Sequence, residues 1–419
     1  MRGEIPIYSR FSWLPQLNPQ VWILIFGRLL SQLGSGFTLF YAPIFFVNQV
    51  HLSAVAVGLG LGSASISGVV GRLLSGSLSD SPSWGRRRTL LLSALVSAIA
   101  SFVLAATTNF PIFVIGNLLM GLGLGLYWPA TEAVVADLTI PNQRNEAYAL
   151  TRLADSLGLG LGVVLGGVLI SATGAYRTLF ILDGISFVVF LGVVYVAIAE
   201  TVKPKNEPQQ WLKGWGIALR DRALLVYALV NILFTTYISQ IQSTMPLYFS
   251  NFVSVGNVGQ GFAPKEISAL FTGHLVLSVL CQLPVARWLN RFSRPRALMI
   301  SALIWAIGFV LVWATGVTAS GQWFWAGLSL AVLAIANVAY TPAASSLVVD
   351  LAPESLRGVY LSINSQCWAI GYFIGPPLGG WALDQSKFVA YSFWLGLALS
   401  IGFALLILQY LQRIMPRPS

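Results

Sequence analysis

Apolar runs of bilayer-spanning length recur along almost the whole chain and constrain its fold more than any other feature. A helix needs roughly 20 mostly apolar residues to cross the hydrocarbon core, and clusters of charged and helix-breaking residues separate twelve such runs. They lie at about 20–47, 53–79, 88–108, 111–137, 145–172, 177–199, 222–251, 264–290, 296–317, 320–348, 357–383 and 388–412. The sequence therefore predicts twelve transmembrane helices joined by mostly short loops.

Charged residues are too scarce for this chain to fold as a water-soluble domain. Only 9% of the 419 residues are charged, while 56% are hydrophobic. A soluble domain has about a quarter of its residues charged, because they cover its surface. The outer surface of this protein must therefore meet lipid.

The positions of lysine and arginine predict the orientation of the chain. If the N-terminus lies in the cytoplasm, the inside loops collect all of these residues but six. The six exceptions are Arg177, Lys265 and Lys387 in outside loops, and Arg28, Arg72 and Arg152 within spans. Cytoplasmic loops of membrane proteins carry such an excess, so we predict a multi-pass inner-membrane protein with both termini cytoplasmic. The net charge of +10 follows from this topology and indicates no nucleic-acid partner.

The second half of the chain repeats the first. At an offset of 213 residues, spans four and five align with spans ten and eleven. Tyr127, Pro129, Ala130, Asp137, Arg144, Gly158, Gly162, Gly166 and Gly167 match Tyr340, Pro342, Ala343, Asp350, Arg357, Gly371, Gly375, Gly379 and Gly380. Both copies begin on the same side of the membrane, so the repeat is parallel. The fold class predicted is all-α, with two pseudo-symmetric six-helix bundles.

The longest cytoplasmic connection separates these bundles. We predict an N-terminal six-helix bundle at 1–199, a cytoplasmic linker at 200–221 and a C-terminal six-helix bundle at 222–419. Within the linker, Trp211 and Trp215 are four residues apart, a spacing typical of a helix that lies at the lipid interface.

The glycine motif of span eleven resembles that of the major facilitator superfamily, and the resemblance extends over nearly the whole chain. Gly371-x-x-x-Gly375-Pro376-x-x-Gly379-Gly380 reproduces the motif that exporters of the family carry in span five. The span-five copy, from Gly158 to Gly167, has Val163 in place of the proline. The resemblance implies alternating access, with a substrate site between the halves. Small residues at this spacing suit a hinge or a sealed interface, so Gly158, Gly162, Gly371, Gly375 and Pro376 are candidate gating residues.

The loop after span two resembles the gating motif of the same family. Gly76-x-x-x-Asp80 is followed by Gly85-Arg86-Arg87-Arg88, with two extra residues and with Ser81 where an arginine usually stands. The resemblance implies that Asp80, Arg86 and Arg87 latch the cytoplasmic gate through a charge network. A purely topological role for the arginines remains the alternative. Asn117 stands where exporters often carry an arginine linked to proton coupling.

Six charged residues lie deep within spans, all in the first half: Glu132, Asp155, Asp183, Arg28, Arg72 and Arg152. Lipid penalises such residues, so they face a wet cavity or a partner. Asp155 can pair with Arg152 on one helix face or with Arg28 from span one, and Arg28 alternatively receives an anionic group. We predict Asp155, Glu132 and Arg152 as proton-coupling residues, with a structural ion pair as the alternative. Asp183 is predicted to be structural.

Polar residues at helical spacing predict the walls of a central cavity. Span seven carries a polar stripe that should face water or solute, and spans one, two, eight, ten and eleven contribute isolated polar or aromatic residues. The cavity candidates are Arg28, Gln32, Arg72, Asn231, Thr235, Ser239, Gln242, His274, Asn337, Tyr340, Asn364 and Trp368. For His274, a packing role is the alternative.

These features predict a proton-coupled exporter of small organic or drug-like solutes, functional as a monomer. A largely apolar cavity favours varied, oily substrates. An importer of a sugar or organic anion is the alternative, as is a non-transporting sensor or enzyme. Neither HExxH, a nucleotide-binding loop nor clustered Cys and His ligands occur, so no enzyme activity, metal or other cofactor is predicted. The expected partners are a small-molecule substrate, a proton or sodium ion, and the lipid bilayer.

Overall fold

The computed structural model describes residues 17–79, 81, 83–139, 141–201, 211–254, 261–289, 291–353 and 357–415. Fifteen helices follow one another in this part of the chain. They are α1 (Pro19–Leu39), α2 (Ala42–Asn48), α3 (Ala54–Ser79), α4 (Gly85–Ala105), α5 (Phe110–Leu138), α6 (Pro141–Thr173), α7 (Tyr176–Ala197), α8 (Trp211–Ala218), α9 (Arg222–Gln242), α10 (Thr244–Asn251), α11 (Pro264–Leu289), α12 (Arg294–Val317), α13 (Gln322–Leu351), α14 (Arg357–Leu383) and α15 (Lys387–Ile414).

These helices confirm the twelve predicted spans. Ten spans are long and apolar enough to cross a bilayer when α1–α2 and α9–α10 are each taken as one span. The other two are α11 and α14, with 26 and 27 residues. Helix α14 is less apolar because it carries Asn364, Ser365 and Gln366. The predicted interfacial helix around Trp211 and Trp215 is α8.

The first span of each half is broken at an equivalent place. Helix α1 ends at Leu39 and α2 begins at Ala42, while α9 ends at Gln242 and α10 begins at Thr244. Pro43 and Pro246 lie in the first turn of the second segment, where the missing N–H of proline costs no helical hydrogen bond. The two prolines are 203 residues apart, so the repeat continues into spans one and seven with a shorter offset.

Helix packing is the same in the two halves. In the first, α1 packs on α6 and α7, and α5 packs on α3 and α4; in the second, α9 packs on α14 and α15, and α13 packs on α11 and α12. Between the halves, α3 packs on α14, α6 on α11 and α2 on α10. The predicted fold of two pseudo-symmetric six-helix bundles is confirmed.

On helix α6, different residue types mark the face in contact with lipid and the face that packs inside the bundle. Leu157, Leu161 and Leu165 recur every four residues and are exposed, as expected for a face in contact with acyl chains. The adjacent face carries Gly158 and Gly162, which are buried. Glycine on this face lets α1 approach the α6 backbone closely.

The two ends of the bundle are defined by the residues that lie there. We call the end with Leu17, Glu200, Asp221 and Met415 the linker side; there, the Ala199 N–H donates to Gln20 Oε1 at 3.1 Å. We call the opposite end, with Asn48 and Asp384, the far side. The predicted latch residue Asp80 lies outside the described residues.

Candidate functional site

A buried ion pair joins spans one and five of the first half. Arg28 Nε donates to Asp155 Oδ1 at 3.0 Å, and Arg28 Nη2 donates to Asp155 Oδ2 at 2.5 Å. Arg28 is 2% exposed and Asp155 9%. This geometry confirms the predicted Arg28–Asp155 pair. The side chain of Arg152, the other predicted partner, lies outside the described part of the chain.

Aromatic rings and a second carboxylate surround the Arg28 guanidinium. Its carbon lies 5.6 Å from the centroid of the Tyr127 ring and 5.2 Å from that of Trp128, within the range of cation–π attraction. Glu132, one helical turn further along α5, is exposed and near enough to interact with the charge of Arg28. The two acids predicted for proton coupling thus approach the same arginine.

The equivalent place in the second half is neutral. Asn231 occupies the position of Arg28 at the 203-residue offset, and Tyr340 occupies that of Tyr127 at the 213-residue offset. Tyr340 Oη donates to Asn231 Oδ1, and Asn231 Nδ2 donates to Asn364 Oδ1 at 2.8 Å. Tyr227 Oη donates to the same Asn364 oxygen at 2.7 Å. Amides and phenols therefore join span seven to span eleven where charges join span one to span five.

Two residues of the predicted polar stripe do not face a cavity in this structure. Thr235 and Ser239 are buried, at 0% and 1% exposure. Thr235 Oγ1 donates to backbone carbonyls of its own helix and lies 3.0 Å from the Cys367 carbonyl oxygen, while Ser239 Oγ donates to the Thr236 carbonyl. They pack against Gly371 and Gly375, because a glycine leaves room there for a hydroxyl. The stripe serves helix packing at these two positions.

Arg72 and Trp368 lie on opposite halves and line one cavity of about 270 Å³. Arg72 Nη1 donates to Ser365 Oγ of α14 at 2.7 Å. Gln242 lies within hydrogen-bonding reach of Tyr372, which lines the same cavity. The structure thus brings Arg72 and Trp368 together between α3, α5 and α14, while Gln242 lies at the end of α9.

The remaining predicted cavity residues lie elsewhere. His274 is buried between α11 and α13, where its Nδ1 is 2.9 Å from the Leu330 carbonyl oxygen. Gln32 faces α6 at Gly158. Asn337 is half-buried on α13, and its Oδ1 has no hydrogen-bond partner in the described part of the chain.

The glycines predicted for gating pack within their own halves. Gly158 and Gly162 meet α1, and Gly371 and Gly375 meet α9. Pro376 differs, because its carbonyl lies against Gly58 of the opposite half. A gating role for the four glycines remains a prediction. In such a role the glycines would let the angle change between two helices of the same bundle.

The arginines after span two form bonds within the first half. Arg86 pairs with Asp137 of α5 and donates to the Ala133 carbonyl at 3.0 Å. Arg87 Nη2 donates to the Tyr195 carbonyl at 2.6 Å. The Glu200 carboxylate accepts the backbone N–H groups of both arginines, at 2.9 and 3.1 Å. No sequence motif pointed to Glu200, although an acid is favourable at a helix N-terminus such as that of α4.

Bonds between the two halves seal the far side. Asp384 accepts the N–H groups of Ala54 and Val55, each at 2.7 Å. Asn48 and Asn251 exchange two amide hydrogen bonds of 3.0 and 2.8 Å. Sequence analysis missed all of these residues; the one signal was that Asn48 and Asn251 share the 203-residue offset.

Asp183 is the third acid within a span and lies apart from these groups. It is 1% exposed and accepts a hydrogen bond from Ser101 Oγ at 2.8 Å. Arg177, the nearest basic residue in sequence, instead donates to the Ala105 and Thr107 carbonyls. A structural role for Asp183 remains the prediction.

Comparison of the sequence with known protein families identifies the family of this chain. The Major Facilitator Superfamily profile matches residues 24–256 and again 249–419. The chain belongs to the Major Facilitator Superfamily. Because this family consists of transporters, its membership sets aside the enzyme alternative.

Relatives of this superfamily member include efflux and antiport proteins. A multidrug resistance protein MdtH of Yersinia enterocolitica is 25% identical over 371 residues, covering 87% of each chain. A Na⁺, Li⁺, K⁺/H⁺ antiporter of Planococcus maritimus is 24% identical over 350 residues, covering 76% of this chain and 80% of the relative. These identities are too low to transfer substrate or coupling ion.

Solved structures of the superfamily match the fold. The nucleoside transporter NupG superposes with a TM-score of 0.80 at 14% identity, covering 95% of this chain and 100% of NupG. A peptide transporter POT in complex with sulfate gives 0.76 at 14% identity, covering 95% and 94%. At such identities the likeness concerns fold alone. The protein is a multi-pass membrane transporter of this superfamily.

Proposed function

We propose that this transporter is a proton-coupled exporter of small organic or drug-like solutes. The observation that carries the proposal is the buried Arg28–Asp155 pair. The equivalent position in the other half is neutral. An ionisable residue held inside a membrane protein is expensive and marks a functional site by default. A carboxylate between two moving helices meets the physical requirement for proton coupling.

The coupling step is a change of partner for Arg28. Protonation of Asp155 removes the negative charge opposite the guanidinium, which itself stays charged. Arg28 then depends on Glu132 and on the rings of Tyr127 and Trp128. Because Arg28 and Asp155 lie on α1 and α6, the change alters the packing of these helices and shifts the equilibrium between conformations. Arg152 modulates Asp155 from the preceding turn.

With the orientation predicted from the lysine and arginine distribution, this conformation is closed towards the outside. Both termini and the 200–221 linker lie in the cytoplasm, and the far side faces the outside. The bodies 1–199 and 222–419 rock against each other, and one chain forms the functional unit. Asp80, Arg86 and Arg87 act at the cytoplasmic end in the opposite state.

A monovalent cation is the second candidate for the transported species, favoured by the name of the Planococcus maritimus relative. Hard cations are bound by several oxygen ligands, carboxylates above all. Within the described residues, no three His, Cys, Asp or Glu side chains gather in a group that would hold a metal ion. The transport assay tests sodium and potassium beside an organic dye, which separates the two candidates.

The test is gradient-driven transport by purified protein in proteoliposomes. A pH gradient is imposed, and accumulation of a lipophilic dye, sodium or potassium is measured for wild type, Asp155→Asn and Glu132→Gln. We expect dye movement that requires the gradient in wild type and is lost in Asp155→Asn. Glu266→Gln, on the far side, is the matched control. Wild-type accumulation by both variants would overturn the coupling assignment, and accumulation in the import direction would favour the importer alternative.

A further inference from the structure

A cavity between the two halves combines a small-residue wall with an aromatic one. Its volume is about 270 Å³, near the lower limit of the roughly 300–1,000 Å³ typical of small-molecule sites. Helices α3 and α5 of the first half form one wall, and α14 of the second half forms the other. A ligand held here therefore touches both bodies of the transporter.

Glycines bring α3 and α5 close together along the wall that these helices form. Gly68, Gly121 and Gly125 line the cavity, and a Cβ on Gly125 would lie 2.9 Å from the Gly71 Cα. Backbone and small side chains thus form one part of this wall, and larger side chains complete it: Leu61, Leu124 and Trp128. A planar ring fits against the glycine part of the wall better than a branched or globular group does.

The opposite wall supplies rings for stacking. Trp368 and Tyr372 of α14 line the cavity, with ring centroids 6.0 Å apart and planes 25° from parallel. Trp128 lines it from α5. Aromatic rings attract one another at such distances and angles, so this wall can stack on a further ring.

Among the described residues that line this cavity, Arg72 is the single charged one. It is half-buried, and its described hydrogen bonds go to Ser365 alone: to Oγ at 2.7 Å and to the carbonyl at 3.5 Å. Arg28, its counterpart in span one, is neutralised by Asp155. No carboxylate of the described residues forms an ion pair with Arg72. A guanidinium at this depth is stabilised by an anion.

We propose that this cavity binds small aromatic carboxylates, an inference that rests on the proposed export function and names its substrate class. The carboxylate accepts two parallel hydrogen bonds from the Arg72 guanidinium, a geometry that fits arginine and not lysine. Ser365 Oγ donates a further bond from the opposite half. The ring lies between the glycine wall and the Trp368 and Tyr372 rings.

Equilibrium binding to the purified protein in nanodiscs tests this assignment. The probes are 2-naphthoate, its neutral analogue 2-naphthamide and the cation 2-naphthylmethylammonium, titrated calorimetrically. For wild type we expect naphthoate to bind at least ~10-fold more tightly than naphthamide, and the cation to bind most weakly. Arg72→Gln removes the preference for naphthoate, and Arg72→Lys retains only part of it because the two-pronged geometry is lost.

Controls separate a binding role from damage to the fold. Arg72→Gln should bind naphthamide as wild type does, which shows an intact cavity, and the exposed Lys387→Gln should keep the full preference. Equal binding of naphthoate and naphthamide by wild type overturns the proposal, as does tighter binding of the cation or an unchanged preference in Arg72→Gln. No gradient is used, so failure here leaves proton coupling intact. Conversely, carboxylate binding without gradient-driven transport would contradict the export function alone.

Discussion

Asp384, at the end of α14, caps the helix that Ala54 begins in the opposite half. Its two carboxylate oxygens accept the N–H groups of Ala54 and Val55 at 2.7 Å each. The first N–H groups of a helix lack partners within the helix, and the helix dipole favours a negative charge there. One carboxylate thus caps a helix of the opposite half, at the same end as the Asn48–Asn251 bonds between the halves.

Asp384→Asn should therefore favour opening of the far side. The variant loses the charge and one of the two acceptors, while bonds within each half remain. Oxidative crosslinking of Asn48→Cys with Asn251→Cys reports closure, after Cys281 and Cys367 are replaced by serine. We expect a several-fold slower crosslinking rate in Asp384→Asn and no change in the neighbouring Gln385→Ala. An equal rate in all variants would show that Asp384 does not hold this end closed.

Removing one member of the Arg28–Asp155 pair should cost more stability than removing both. A single substitution leaves a buried unpaired charge or polar group. Breaking a buried ion pair in this way lowers the free energy of unfolding by on the order of 3–5 kcal/mol. Thermal unfolding in detergent should give the lowest midpoints for Arg28→Gln and Asp155→Asn, with recovery in the double variant. The double variant should still lack gradient-driven transport. Additive losses of stability would mean that the two side chains do not interact.

Gly162→Ala should impair the protein, whereas Gly160→Ala should be tolerated. A Cβ on Gly162 would lie 2.8 Å from the Gly36 Cα of α1, while one on Gly160 meets nothing within 4 Å. Overpacking of this kind lowers the free energy of unfolding by about 1–3 kcal/mol. The comparison measures the unfolding midpoint and the transport rate of both variants, which differ from wild type by the same methyl group. Similar behaviour of the two would contradict close packing of α1 on α6.

Glu200→Ala should loosen the first turn of α4. The carboxylate accepts the N–H groups of Arg86 and Arg87, and loss of a helix cap costs about 1 kcal/mol. Hydrogen–deuterium exchange should accelerate roughly fivefold at these two amides. The first turn of α12, the equivalent helix of the second half, serves as the internal control. Unchanged exchange at Arg86 and Arg87 would show that Glu200 does not protect them.

Sequence patterns predicted the elements of this fold closely, because lipid imposes strict local requirements. A spanning helix must satisfy its own backbone hydrogen bonds and be apolar over a set length, and both requirements are legible in consecutive residues. The repeated glycines and prolines likewise predicted two matching halves. The breaks at residues 40–41 and 243 were missed, since a proline in an apolar run does not reveal whether a span bends or breaks.

The partners of individual side chains were predicted less completely. Arg28 and Asp155 are 127 residues apart, and their pairing was one of two alternatives until the packing of α1 on α6 was known. Thr235 and Ser239 have the same spacing as cavity-lining residues, but the structure turns them towards the glycines of α14. Asp384 showed no sequence signal, because its partners are backbone groups that any residue supplies.

The sequence by itself determined that this chain crosses a membrane twelve times as two related halves, and that charge deep within the spans lies in the first half. These properties follow from residue type and order, since transfer into lipid depends on each side chain in turn. Only the tertiary structure decided which charges neutralise each other, which hydroxyls are used in packing, and which end is sealed. Those outcomes depend on contacts between distant helices, and their geometry is set by close packing of the whole bundle.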